Sequence, residues 1–133
     1  MTTQVTPAAQ TVKRVADLPA LTDDQLVQSL SAAVLERNGR EAVLLDLRGL
    51  SDATDCFLIA SGDSRTHARA IADNIIERCK AAGFRPVGIE GRAGGDWILI
   101  DYVSAVVHIF LPRVREYYQL ENLWGDAPSL PVE

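Results

Sequence analysis

Four groups of residues in this chain have the types and spacing that chemistry uses. Ser61-Gly62-Asp63-Ser64 ends an apolar run and opens a helical pattern, where α/β proteins bind anions on outward backbone N–H groups. It lacks the lysine and spacing of a P-loop and the three glycines of a dinucleotide fingerprint, so helix capping by Asp63 or Ser64 is the stronger reading. His108 alternates with Val106 and Phe110 on one strand face and, as a base, could work with Asp101 across a turn. A lone histidine on an apolar strand is more often hydrogen-bonded structure, and no serine or cysteine nucleophile pairs with it. Carboxylates at Asp46, Asp52, Asp55, Glu90, Asp96 and Asp101 include no pair one residue apart on a strand, the spacing of two-metal nucleotidyl transfer. Asp52 and Asp55 read as solvated loop residues rather than metal ligands. The fourth group is aromatic. Tyr117 and Trp124 share a helical stripe with Leu120 and read as core, whereas Arg115 and Tyr118 lie off it. Trp97 follows Gly94-Gly95-Asp96 at a strand mouth, where a large ring near arginine serves equally as a partner anchor or as core.

Periodicity and chain breakers define the elements that must hold these residues. Residues 1–20 are polar, proline-interrupted and too poor in large apolar groups to offset the entropy of ordering them, so a flexible tail is expected. A capping box, Thr22-x-x-Gln25, opens a helix with Leu26, Leu30, Ala33 and Val34 on one face, ending at Gly39. Strands are expected over 42–48 and 56–60, and a helix over 65–82 whose Ala68, Ile71, Ala72, Ile75 and Cys79 recur at three- and four-residue steps. A short strand at 86–90, a glycine-rich turn and two paired strands at 97–102 and 105–111 follow. Pro112 then precedes a helix over 113–124. The order is that of a single α/β (α+β) domain over 21–124: one mixed sheet of about five strands with flanking helices, and a second flexible tail over 125–133.

At 133 residues the chain can bury a core without disulfides or metal. Its net charge of −5 argues against a generic polyanion-binding surface, so any nucleic acid nearby is reached through a protein partner. Cys56 and Cys79 sit in apolar runs without ligand spacing and read as reduced core thiols. No apolar run approaches the roughly 18 residues of a membrane span, and the start MTTQVTPAAQ lacks a signal peptide's regions, which together point to the cytoplasm.

The segments DCFLIASGDSRTHARAIADNI, PVGIEGRAGGDWILIDY and VVHIFLPRVREYYQLENLW resemble the ribosomal silencing factor family, also known as the Iojap-related proteins, over about three quarters of the chain. The resemblance implies a nucleotidyltransferase-like sheet without catalytic carboxylates, no enzymatic activity, no cofactor and no metal. It implies binding to the large ribosomal subunit through ribosomal protein number fourteen, so that the small subunit cannot join and translation falls when nutrients are scarce. Carried over by position, the expected partner-binding residues are Trp97, Asp101, Tyr102, His108, Phe110, Arg115 and Tyr118, with Leu111 and Pro112 extending the patch. Val103-Ser104 stands where the family has Gly-Asp, which demands a different turn geometry. Two rival readings are a residual nucleotidyltransferase or phosphate-binding enzyme at Ser61–Ser64 with Asp52 or Asp55 holding metal, and a homodimer that pairs the same apolar surface with itself.

Overall fold

The computed structural model describes residues 21–125 and 127–133, and the expected tail over 1–20 lies outside them. Helix α1 (Gln25–Glu36) is opened by Asp24 rather than Thr22: the Asp24 carboxylate accepts from the N–H groups of Leu26 (2.9 Å) and Val27 (3.2 Å). A carboxylate both satisfies two orphan donors and faces the positive end of the helix dipole. At the other end Asn38, not Gly39, takes the left-handed position with φ 57°.

The chain continues through β1 (Arg40–Asp46), β2 (Cys56–Ser61), α2 (Arg65–Ala81), β3 (Gly88–Glu90), β4 (Trp97–Asp101), β5 (Ala105–Phe110), α3 (Pro112–Tyr118), α4 (Leu120–Leu123) and β6 (Ser129–Pro131). One six-stranded mixed sheet results, in the order β3-β4-β5-β2-β1-β6. Among the described residues its single parallel pairing is β2 with β5. Parallel neighbours need a long connection. Here α2 carries the chain over β5 and β4 to the far edge, and the β3-β4-β5 meander brings it back beside β2.

Two further expectations differ from the structure. The region after Trp124 is not wholly a tail, because β6 pairs with β1 and sets Leu44 opposite Leu130. Three residues including a proline give little periodic signal, and proline is tolerated there because β6 is an edge strand. The helix expected over 113–124 breaks at Gln119, whose φ of 48° ends α3 and starts α4.

Side chains alternate between two faces of the sheet. One face lies beneath α1 and α2, where Leu30, Val34, Leu58, Ile71, Ile75, Ile98, Ile100, Val107 and Ile109 are fully enclosed. The opposite face holds a smaller buried group, Leu45, Leu47, Ile59 and Phe110, with Phe57, Trp97, Val114, Leu120 and Trp124 partly covered around it. Both cysteines are free and buried, and burial first, then the nearby Asp55, pushes the Cys56 thiol up to about 12. Such a thiol stays protonated and unreactive. Asp46, fully buried, is held by the Arg48 guanidinium at 2.9 and 2.7 Å. Among the described residues no helix is long and apolar enough to cross a membrane.

The β4–β5 hairpin turns through Val103 at φ 74°, with the Asp101 carboxylate accepting from the Val103 N–H at 2.7 Å. A β-branched residue in the left-handed region is strained by about 1–3 kcal/mol, partly offset in a Val103→Gly variant by the extra freedom glycine gives the unfolded chain. Val103→Gly is therefore expected to raise stability by about 1 kcal/mol in urea unfolding, and a loss of stability would contradict the strain.

Candidate functional site

Strand register gathers the aromatic residues on the less covered face. Trp97 pairs with Phe110 and Leu99 with His108 across β4–β5, while Phe57 and Ile59 of β2 lie beside Val106 and His108. Asp101 faces Val106 rather than His108, and its carboxylate is taken by the turn, so no Asp–His pair is assembled as a base. Instead the Trp97 indole Nε1–H donates to His108 Nδ1 at 3.1 Å. Rings then follow one another across the face. Tyr117 meets Tyr118 at 5.0 Å, Tyr118 meets Trp97 at 4.7 Å, and Trp97 meets Phe110 at 4.9 Å. His108 packs on Phe57 at 4.6 Å, and Phe57 on Trp124 at 6.2 Å. The tilted and edge-on geometries are those aromatic quadrupoles favour.

Of the nine residues expected to touch a partner, three are interior. Phe110 is 0% exposed, His108 4% and Tyr102 7%. Tyr102 shares the face of Ile98 and Ile100, on the far side from Trp97, and its hydroxyl lies beside the Cys79 thiol. The other six are reachable: Pro112 and Tyr118 are exposed, and Trp97, Asp101, Leu111 and Arg115 half-buried. Arg115 is nevertheless a clamp more than a rim contact. Its Nη1 donates to Ser61 Oγ at 2.9 Å and its Nη2 to the Glu41 carbonyl at 2.9 Å, tying α3 to β1 and β2.

Tyr117, read as core from its stripe, is instead 81% exposed. The break at Gln119 re-phases Leu120 and Trp124 toward the sheet and leaves Tyr117 outside. Leu99, Val106 and Phe57, also half-buried on this face, were legible from strand alternation with Trp97 and His108 but carried no chemical signal of their own.

The Ser61–Ser64 turn is engaged internally. Ser61 Oγ serves Arg115, the Asp63 carboxylate holds Arg40 at 3.0 Å, the Asp63 N–H donates to His67 Nδ1 at 2.8 Å, and Ser64 Oγ caps α2 by accepting from the His67 N–H at 3.0 Å. Asp52 and Asp55 are exposed, and the described residues contain no cluster of three or more His, Cys, Asp or Glu fit to hold a metal ion.

Burial pushes the His108 imidazole down from 6.5 to about 4. With Nδ1 accepting from Trp97, the ring proton sits on Nε2, which has no hydrogen-bond partner among the described residues. Because the unfolded chain takes up this proton more readily, stability is full above about pH 6.5 and is lost as pH falls toward about 4, by up to about 3 kcal/mol. Wild-type unfolding free energy is expected to decline across the upper part of that window, before carboxylates titrate. In His108→Asn, whose amide oxygen can replace Nδ1 as acceptor, that slope should flatten; an equal slope would contradict the buried neutral imidazole.

Residues 20–133 match the family described as "Ribosomal silencing factor during starvation". A ribosomal silencing factor of Haemophilus influenzae is 43% identical over 75% of this chain and 98% of its own length. A crystal structure of a Chromobacterium violaceum protein is similar with a TM-score of 0.74 at 35% identity, covering 76% of this chain and 84% of that one. The mouse protein named "Mitochondrial assembly of ribosomal large subunit protein 1" is 33% identical over 74% of this chain and 44% of its own length.

Proposed function

The chain belongs to the ribosomal silencing factor family, and from that membership we propose that it docks its aromatic face on ribosomal protein number fourteen of the large subunit and bars the small subunit by excluded volume. The action is steric, takes place in the cytoplasm, and represses translation under nutrient limitation without making or breaking a covalent bond. The observation that carries this reading is the strip formed by half-buried Trp97 and the exposed Tyr118 and Tyr117, with Leu111 and Pro112 at the start of α3, on a sheet whose other face is roofed by two helices. Aromatic rings that are large, rigid and only partly covered are the usual anchors of a protein interface. A protein rather than RNA as the contacted component suits a chain of net charge −5. The large subunit as target is supported by the name of the mouse relative.

Gradient sedimentation of purified subunits tests this directly. The protein is expected to travel with the large subunit and to deplete joined ribosomes, and undiminished joining would refute it. Trp97→Ala should weaken binding by about 2 kcal/mol, about thirtyfold. Since that change also orphans His108, Tyr118→Ala and Tyr117→Ala, both at exposed positions, are the variants that separate binding from folding. Unaltered co-sedimentation of all three would remove the assigned face.

A further inference from the structure

The glycine-rich turn that delivers Trp97 to the face closes the β3–β4 hairpin with a Gly95 N–H to Gly91 carbonyl bond at 2.9 Å, and its side-chain tethers come from one stripe of α2. Arg65, Arg69 and Asp73 stand four residues apart and so point the same way. Arg65 Nε donates to Asp96 Oδ1 at 2.7 Å. Arg69 donates from Nε to the Arg92 carbonyl at 3.0 Å and from Nη2 to the Ala93 carbonyl at 2.7 Å. Asp73 receives the Arg92 guanidinium on both oxygens, at 2.8 and 2.6 Å. The turn lies close against the helix because Gly95, at φ 78°, presents no side chain to Arg65; a Cβ there would come within 2.8 Å of the Arg65 Cβ. Gly91, at φ 80°, likewise leaves room for the Trp97 carbonyl oxygen.

Residues 91–94 are exposed and bury no apolar side chain, so packing does not fix their position. Yet Asp96 precedes Trp97 directly, and its carbonyl accepts the Leu111 N–H at 3.0 Å, just before α3 begins. The turn therefore bears on the first residue of β4, Trp97, which the sheet and His108 also hold, and on the start of α3 at Leu111 and Pro112.

We infer that Arg69 and the Arg92–Asp73 pair are positioning residues for the aromatic face: they touch no partner themselves and fix the turn from which Trp97 and the start of α3 are aimed. The binding consequence rests on the proposed docking face; the aiming of Trp97 does not. Both are tested in the full chain with Arg69→Ala, Asp73→Arg, Arg92→Asp and the reversed pair Asp73→Arg/Arg92→Asp. Readouts are the Trp97 indole N–H signal in NMR, identified by its loss in Trp97→Phe, the melting temperature, and binding to isolated large subunits.

Arg69→Ala is expected to move or broaden the Trp97 signal and to weaken binding about fivefold while melting close to wild type. The reversed pair should recover signal and binding relative to either single change. An unmoved Trp97 signal overturns the inference, as does binding that is unchanged when the signal has moved or that falls only in step with melting temperature. Should the wild type itself not bind, the docking reading fails and the Trp97 signal alone decides the positioning role.

Discussion

Apolar side chains project from both faces of β2 and β5, and among the described residues long helices cover only one of them. The rest of the architecture answers that imbalance. On the roofed face α1 and α2 complete a core whose central residues are inaccessible to water. On the other, seven residues of α3, four of α4 and the segment leading to β6 cover Leu45, Ile59 and Phe110 but stop short of Trp97, Leu99, Val106 and Phe57. Polar contacts interrupt the apolar side chains of that face: the Trp97–His108 bond, the Asp101 carboxylate in its turn and the Arg115–Ser61 clamp.

The strongly periodic parts of this fold were legible in the sequence. Helix α2 announces itself by its apolar steps, and the paired strands β4 and β5 by two β-branched runs a few residues apart. The family resemblance carried the same parts, because its motifs are those elements. What escaped has a common cause: features decided by a single backbone torsion or by a distant partner. Nothing in Tyr118-Gln119-Leu120 marks a left-handed residue, so the helix break, and with it the exposure of Tyr117, was invisible. β6 exists because β1 offers it an edge. Tyr102 is a different case, since simple alternation from Ile98 and Ile100 places it on the roofed face, and attention to its aromatic type obscured that.

Charged residues divide the labour with little redundancy. Those of α2 tether the glycine turn, Arg40 and Asp63 close the junction before α2, and Arg115 pins α3. Most of these pairs are exposed and each contributes little to global stability. Their common effect is to locate loops that have no core of their own, a task for which direction matters more than strength.

The indole–imidazole hydrogen bond also constrains how this protein can change over evolutionary time. With phenylalanine at position 97 the His108 Nδ1 would be left buried without a donor, and with an apolar residue at 108 the indole N–H would lose its acceptor. Either change alone leaves one polar group without its partner, a cost that the two together avoid. Positions 97 and 108 are therefore expected to drift as a unit among descendants of this chain, one inherited character written in two codons on adjacent strands.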